Sequence, residues 1–311
     1  MRWTLSQLHR ELLGRNRRNH EFLFRYNLHS RLSLVDDKRA TRQVLERHAV
    51  PAPRLLATAE RQGEIRGLIH RLHALGEFAL KPARGAGGAG IVIVCASVER
   101  AFGTTSGRLI SDASVAAHIC DVLAGAFSLG GRVDALVVEE RLVPEPTLAQ
   151  LSYRGVPDVR VIVFRGVPVQ AMLRLPTRRS EGRANLHLGG IGVGVRLDSG
   201  QTTSGIWRGR RFDRHPDLDV PLRGAQVPAW QELLALAVRA ADAVGLGFVG
   251  VDLVVDARRG ALVLELNARP GLGIQAANRQ GLRPLLATIA AAALPSSIEA
   301  RVQLGQSLSA G

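Results

Sequence analysis

Two carboxylates and one carboxamide stand out in the segment FVGVDLVVDARRGALVLELNARPG, residues 248–271. The pattern predicts two strands joined by a turn at about residues 257–260. Glu265 and Asn267 are two positions apart and therefore face the same side of their strand. If the turn is centred as the sequence suggests, Asp252 lies directly opposite Glu265 on the partner strand. Such a set of hard oxygen ligands suits magnesium that carries nucleotide phosphates.

A solvated strand face with alternating polar residues would give the same spacing. The residues that flank Asp252, Glu265 and Asn267 are, however, almost wholly apolar. A buried carboxylate without a cation is costly. We therefore favour the metal site over the solvated face.

Lysine is rare in this chain. Of its 41 lysine and arginine residues only Lys38 and Lys81 are lysines. Where arginine is the default cation, a lysine indicates a position that needs a compact ammonium group. Lys81 ends a predicted strand, GEFALKPA, immediately before a glycine-rich stretch.

That stretch places Gly85, Gly87 and Gly90 in the spacing of a dinucleotide-binding turn. Such a turn must be followed by a helix, whereas residues 91–94 here are all β-branched and predict a strand. The prediction is therefore a strand–loop–strand flap whose backbone amides, at Gly87 and Gly88, can close over phosphates. An ordinary hairpin turn remains the alternative.

The coarse pattern predicts strands, mostly in hairpins, with helices between them. Residues 1–30 read as a basic amphipathic helix, with Leu5, Leu8 and Leu12 on one face, followed by a polar connector. A second helix begins near Asp36 or Asp37. We expect a two-lobed α+β chain rather than a doubly wound one. The expected divisions are a helical segment 1–60 that carries Lys38, a first lobe 61–143 with the glycine loop, and a second lobe 144–311 with the metal residues.

The composition narrows the class of partner. A net charge of +14 favours an anionic ligand, but an aromatic content of 4% and the lack of a recognition motif argue against nucleic acid. No signal-peptide pattern and no apolar run of membrane-spanning length are visible. With only Cys95 and Cys120, the chain has no disulfide framework, and we expect a reducing cytoplasm and no membrane.

An ordered set of motifs resembles the ATP-grasp superfamily, and among its members the RimK-like α-L-glutamate ligases and their relatives. The motifs are DDKRATRQVLERHAVPAP, FALKPARGAGGAGIVIV, VVEERL, DVRVIVF, RANLHLGG, VGVDLV and LELNARPG, and the resemblance covers about residues 14–285. It implies an ATP-grasp fold, in which two lobes, each with an antiparallel sheet and helices, grip ATP between them.

The resemblance also implies roles for single residues. The residues expected to hold ATP are Lys38, Lys81, Gly87 and Gly88 at the phosphates, Glu139, Glu140 and Arg141 at the adenine edge, and Asp158, Arg183 and Asn185. Asp252, Glu265 and Asn267 match the ligands of magnesium ions, two of which are expected, with Mn²⁺ as a possible substitute. Arg160, Arg174 and Arg269 are candidates for holding a transferring phosphate, an acyl phosphate or a substrate carboxylate, with a surface arginine as the alternative for each.

The implied reaction is ATP-dependent ligation of a carboxylate to an amine through an acyl phosphate, with an amino acid, glutamate-like in the family, joined to a peptide or small amine. About 36 residues precede Lys38, so a truncated pre-ATP-grasp domain is expected. Residues 144–157 and 176–215, a partner protein or a second protomer would then complete the substrate site. The alternatives are a nucleotide-binding protein of the same fold without ligase activity, a nucleic-acid-binding protein, and a Rossmann dehydrogenase.

Overall fold

A computed structural model describes residues 10–85, 87–128 and 130–309. The chain forms two compact units. Of the described residues, the larger unit takes those in Met1–Asp36, Thr41–Ala52 and Pro144–Gly311, and the smaller unit takes Asp37–Ala40 and Pro53–Val143. Residues 1–60 are divided between the two units; the part of the expected first helix that contains Leu5 and Leu8 lies outside the described residues.

Helices and strands are interspersed along the described part of the chain. The helices are α1 Arg15–Arg17, a π-helical turn Arg18–Leu23, α2 Phe24–Tyr26, α3 His29–Val35, α4 Lys38–Arg47, a 3₁₀ turn Gln62–Glu64, α5 Ile65–Leu75, α6 Asp112–Leu123, α7 Pro146–Ala149, a 3₁₀ turn Leu186–Leu188, α8 Trp230–Val244, α9 Gly273–Asn278, α10 Leu282–Ala291 and α11 Ile298–Ser309. The strands are β1 Leu55–Ala59, β2 Phe78–Pro82, β3 Val92–Val98, β4 Ala101–Thr104, β5 Leu109–Ser111, β6 Leu136–Glu139, β7 Asp158–Phe164, β8 Val167–Leu175, β9 Ile191–Val195, β10 Thr202–Trp207, β11 Arg210–Phe212, β12 Phe248–Asp256 and β13 Gly260–Asn267.

The larger unit is built on a seven-stranded sheet with the strand order β11-β10-β9-β8-β7-β12-β13. All of its neighbouring pairs are antiparallel. Strands β7, β8 and β12 are buried along their whole length. On one face, residues such as Val161 and Leu253 join the apolar core that includes Leu233 of α8, and on the other face Ile162 and Phe248 join a second core. Coverage on both faces explains why these strands read as nearly continuous apolar runs.

The smaller unit has a six-stranded sheet of order β1-β6-β2-β3-β4-β5, again entirely antiparallel. Its own apolar core includes Phe78 and Phe102 from the sheet, Leu72 from α5 and Ile119 from α6. After the glycine loop the chain enters β3, which pairs with β2, as the sequence predicts. A strand at this place is incompatible with a dinucleotide-binding turn.

Two antiparallel sheets with separate helices confirm the predicted α+β class. Among the described residues no helix has both the length and the apolar character needed to cross a membrane.

Candidate functional site

The strand pair β12–β13 has the predicted register. Asp252 is the partner of Glu265, and Gly250 is the partner of Asn267. Across the other edge of β12, Asp252 is the partner of Arg160 on β7. Because side chains two apart in a strand share a face, the Asp252, Glu265 and Asn267 side chains lie on one face of the sheet, together with Arg160.

Two arginines bind the Asp252 carboxylate in the interior. Arg160 donates from Nε to Oδ1 at 2.6 Å and from Nη2 to Oδ2 at 2.5 Å. Arg174 on β8 donates from Nη2 to the same Oδ2 at 2.6 Å. It also forms a fork with Asp158, from Nε to Oδ1 at 2.5 Å and from Nη2 to Oδ2 at 2.6 Å. All four residues are at least nine-tenths buried, so the cluster is a closed set of two cations and two anions.

This environment shifts the pKa values of the two aspartates in opposite directions. Burial, together with the negative charge of Asp252, raises the pKa of Asp158 to about 6, although Arg174 and Arg160 oppose the rise. Burial also acts to raise the pKa of Asp252, but the charges and hydrogen bonds of Arg160 and Arg174 outweigh it and hold that pKa below its usual value. The asymmetry arises because Asp252 receives bonds from both arginines and Asp158 from one.

Asp252, Glu265 and Asn267 offer the oxygen donors that magnesium prefers. Glu265 and Asn267 are half-buried at the end of β13, whereas Asp252 is buried. No group of three or more His, Cys, Asp or Glu side chains is placed for metal binding within the described ranges, so a cation here depends on the Asn267 carboxamide as the third donor. The Oδ1 atom of Asp252 accepts only one of the arginine bonds. The residues therefore fit a magnesium ion by donor type.

Three further predicted residues, Arg269, Arg183 and Asn185, lie elsewhere in the larger unit. Asn267 accepts the backbone N–H of Arg269 at 3.0 Å, and the Arg269 side chain is half exposed, 3.6 Å from Asp36. Arg183 is exposed and pairs with Glu181 at 3.0 Å. Asn185 accepts the N–H of His187 at 2.8 Å and begins a 3₁₀ turn. The structure thus joins Arg160, Arg174, Asp158 and Asp252, but it does not bring these three residues into that cluster.

In the smaller unit, Lys81 donates from Nζ to Oε2 of Glu139 at 2.5 Å, and both side chains are about nine-tenths buried. Glu140 holds Arg54 through the Arg54 N–H at 2.7 Å and Nε at 2.8 Å. Arg141 donates from Nη1 to Glu77 at 2.7 Å, and its buried Nε has no hydrogen-bond partner among the described residues. The end of β6 therefore carries one buried ion pair, and the two residues that follow it carry two partly exposed ones.

Lys38 stands at the start of α4 and contacts the glycine loop. Its Nζ donates to the carbonyl of Gly85 at 2.8 Å, and its N–H donates to the carbonyl of Ala83 at 3.0 Å. Gly87 and Gly88 have φ of 67° and 81°, values that favour glycine. The loop that the sequence identified is therefore held at its base by one of the two lysines.

Sequence reasoning missed Asp134, which fixes the same loop. Its carboxylate accepts the N–H of Arg84 at 3.0 Å to each oxygen, the Oγ of Ser128 at 3.1 Å and the N–H of Ala135 at 2.8 Å. Its one sequence signal is an acidic residue at the edge of the apolar run DALVV. Arg18, buried against the chain after β13, was also missed.

The two antiparallel sheets, the lysine at the glycine loop and the oxygen donors on β12 and β13 together define an ATP-grasp protein. The chain belongs to the sugar-transfer associated ATP-grasp family, whose model matches residues 17–291. The resemblance to the ATP-grasp superfamily is thereby confirmed.

Curated relatives match a shorter part of the chain. A probable alpha-L-glutamate ligase of Sodalis glossinidius is 31% identical over 138 residues, which are 44% of this chain and 35% of the relative. Another, from Mannheimia succiniciproducens, is 33% identical over 129 residues, 41% of this chain and 32% of the relative. The chain thus spans about a third of the length of these relatives.

Solved structures show a more distant similarity. The ATP-grasp ligase PsnB, in complex with a minimal precursor, aligns with a TM-score of 0.47 and 20% identity over 86% of this chain and 63% of that chain. The D-alanine-D-alanine ligase of Coxiella burnetii aligns with a TM-score of 0.45 and 14% identity over 88% of this chain and 59% of that chain.

Proposed function

We propose that the protein is an ATP- and magnesium-dependent carboxylate–amine ligase that releases ADP and forms an amide bond through an acyl phosphate. The observation that carries the proposal is the polar face of β7, β8, β12 and β13. There the oxygen donors Asp252, Glu265 and Asn267 adjoin two buried, preorganised arginines. A nucleotide-binding protein without ligase activity is the alternative.

The arginines are arranged to receive an anion. Arg160 and Arg174 use Nε and Nη2 for the aspartates, and within the part of the chain that the structure describes neither Nη1 has a hydrogen-bond partner. Fixed donors of this kind stabilise charge that develops on a phosphoryl group, because they need no rearrangement during the reaction. In this proposal each Nη1 donates to an oxygen of the transferring phosphate or of the acyl phosphate.

Asp252, Glu265 and Asn267 would hold the magnesium ions that accompany ATP, and a bound ion would neutralise phosphate charge. Lys38, Lys81 and the amides of Gly87 and Gly88 would bind the nucleotide phosphates. Glu139, Glu140 and Arg141 would bind the adenine edge, and Asp158, Arg183 and Asn185 would complete the nucleotide contacts. Arg269 would bind a substrate anion. Two ions are proposed, with Mn²⁺ as a substitute.

The proposed substrates are an amino acid as the carboxylate donor and a peptide or small amine as the acceptor. Relatives described as probable alpha-L-glutamate ligases support a glutamate-like acid. In this proposal a partner protein or a second protomer completes the substrate site.

The test is an ADP-release screen of amino acids paired with peptides and small amines. Wild-type protein should release ADP only with a matching pair and magnesium, and the product should gain one amide bond by mass spectrometry. Asn267→Ala and Glu265→Gln should each lower turnover about 100-fold or more, because the oxygen ligands of the phosphate-bound cation are lost. Glu299→Gln on α11, remote in sequence and exposed, is the matched charge control and should retain full turnover.

Lys81→Ala should also abolish turnover, but it leaves Glu139 buried without its partner. The double variant Lys81→Met, Glu139→Gln removes both charges and keeps the fold testable by circular dichroism. Normal ATP consumption by Asn267→Ala or by the folded double variant would refute the site. Magnesium-dependent ATP binding without ADP release for any acid and amine would instead support the nucleotide-binding alternative.

A further inference from the structure

Arg18 is a buried cation in the larger unit. Its side chain lies in the π-helical turn and the residue is 7% exposed. Its Nη1 donates to the carbonyl of Pro270 at 2.8 Å and to that of Arg269 at 3.4 Å. Its Nε and Nη2 donate to Oδ1 of Asn19 at 3.1 and 2.8 Å. No carboxylate of the described residues pairs with Arg18, so a buried charge faces only neutral oxygens, which is costly.

Two further cations lie beside it. Arg15 precedes Arg18 by three residues in consecutive helical turns, where the N–H of Arg18 donates to the carbonyl of Arg15, so both side chains share a face. Arg269 is the residue whose carbonyl Arg18 holds. Burial is the main cause that lowers the pKa of Arg18, and the positive charges of Arg269 and Arg15 lower it further. We call these three residues the arginine cluster.

The arginine cluster has little compensating charge. The carboxylate of Asp36 lies 3.6 Å from Nη1 of Arg269, and both side chains are half exposed. At that exposure the ion pair is largely screened by water. Among the residues that the structure describes, the arginine cluster thus has one ion pair, which is weak, and an added anion would relieve the repulsion among its cations.

The arginine cluster lies next to the end of β13, which carries predicted metal ligands, and one of its residues lines a cavity. The N–H of Arg269 donates to Oδ1 of Asn267, the last residue of β13. A cavity of about 630 Å³ is lined by residues 12–17, Arg15 among them, and by Gln275. A small molecule that occupies this cavity would have one arginine of the cluster in its wall.

We propose that Arg15, Arg18 and Arg269 form a subsite for an anionic group, a carboxylate or a phosphate, of the acid that the ligase activates. The identity of the ligand as a substrate rests on the proposed function, whereas the presence of an anion site does not. Arg15 and Arg269 are exposed and make the contact, because a guanidinium fork matches a carboxylate or phosphate in two places. Arg18 fixes the chain at residues 269 and 270 behind them. The substrate class is then an acid with an anionic group besides its reacting carboxylate.

The first test measures two effects of Arg15→Gln on the melting temperature that should have opposite signs, one without added anion and one with it. Arg15→Gln removes repulsion among like charges, so its melting temperature without added anion should rise above that of wild type. The stabilisation of the protein by sodium succinate or sodium phosphate, at constant ionic strength, should fall in the same variant. Its apparent dissociation constant for the probe should rise about tenfold or more, the loss expected for one charge-assisted pair. Arg269→Gln should behave likewise.

Arg25→Gln is the matched control. Arg25 is exposed, lies in α2 with its guanidinium 5.6 Å from the ring centroid of Tyr26, and is not among the residues that line the cavity. Its apparent dissociation constant for the probes should equal that of wild type. The succinate and phosphate arms identify which anion the cluster prefers, and stabilisation by either supports the subsite. A lower melting temperature for Arg15→Gln with unchanged stabilisation by both anions would overturn it.

Turnover separates this inference from the proposed function. If a matching acid is found, Arg15→Gln should raise KM for the acid about tenfold and leave KM for ATP unchanged. Unchanged KM for the acid in both Arg15→Gln and Arg269→Gln would overturn the subsite and leave the ligase intact. Anion stabilisation that is lost in Arg15→Gln, in a protein that ligates no acid, would refute the proposed function and retain the subsite.

Discussion

At the scale of single residues, the cluster of Asp158, Arg160, Arg174 and Asp252 balances its charges in the interior and also orients its two arginines. Its two carboxylates and two guanidinium groups balance in charge, yet the two aspartates are not equivalent. Asp252 receives bonds from both arginines, while Asp158 receives them from Arg174 alone. The arginines are thereby held in fixed orientations, which would suit the phosphoryl transfer that we propose.

The raised pKa of Asp158 predicts a distinctive pH dependence of stability. Its pKa is about 6 in the folded protein against an ordinary 3.8, so the folded state binds the proton more tightly than the unfolded state between these values. The contribution of this carboxyl to stability therefore falls as pH rises from about 4 to about 6. Asp158→Asn removes that loss, which amounts to about 3 kcal/mol from the size of the shift.

The measurement is urea unfolding of wild type and Asp158→Asn at pH 4 and pH 7.5 without magnesium. The variant should gain about 3 kcal/mol relative to wild type between the two pH values. Asp198→Asn is the control with the opposite sign, because Arg196 and Ser199 lower the pKa of Asp198 despite its partial burial. A stability difference between wild type and Asp158→Asn that does not change with pH would contradict the raised pKa.

At the scale of elements, the glycine loop between β2 and β3 is constrained at both ends. Asp134 holds the N–H of Arg84, and the carbonyl of Gly90 lies 2.9 Å from Nε2 of His118. Gly90 has a φ of 72°, and an added Cβ would lie 2.6 Å from Cγ of Phe127. This glycine is required for space as well as for its backbone conformation.

Gly90→Ala should therefore destabilise the smaller unit more than Gly107→Ala. Gly107 has a φ of 83° but no atom within 4 Å of an added Cβ, so its substitution costs only the backbone strain of about 1–2 kcal/mol. At Gly90 the contact with Phe127 should add about 1–3 kcal/mol. Urea unfolding of the two variants gives the comparison, and equal losses would show that Phe127 moves aside without cost.

The elements were largely predictable from the sequence because they depend on local patterns. Alternation of apolar residues and the turn at residues 257–260 predicted the register of Asp252 and Glu265, and β-branched residues after Gly90 predicted β3. The partners of buried charges were not predictable. Asp252 meets arginines that are 92 and 78 residues away in the chain, and Arg18 meets a carbonyl 252 residues away. Such contacts depend on how the elements pack, which local patterns do not record.

At the scale of the whole molecule, the chain has two units with separate hydrophobic cores. Leu72 is fully buried in the core of the smaller unit, and Leu234 is fully buried in a core of the larger unit. The division of residues 1–60 between these units lay beyond sequence reasoning, because connectivity does not show which core a helix joins. We therefore expect a core substitution in one unit to perturb that unit first.

Leu72→Ala should cost about 2–5 kcal/mol, through lost burial and a residual cavity. Hydrogen exchange measured by mass spectrometry should then show lost protection in residues 53–143 and little change in α8 and β12. Leu234→Ala should give the reverse pattern. Uniform loss of protection along the chain in both variants would show that the two units unfold as one.

Because the chain has only two lysines, both predicted phosphate-binding side chains can be followed by chemical modification. An amine-reactive acylating reagent has only two side-chain targets, and lysyl endopeptidase has only two cleavage points. Lys81 is shielded by its buried bond to Glu139, while the amine of Lys38 is only partly buried against Gly85. Lys38 should acylate first, and saturating Mg-ATP should slow that reaction. Peptide mapping of the acylated lysines would thus report whether nucleotide is bound. The measurement needs no acid or amine substrate, no label introduced by mutation and no turnover.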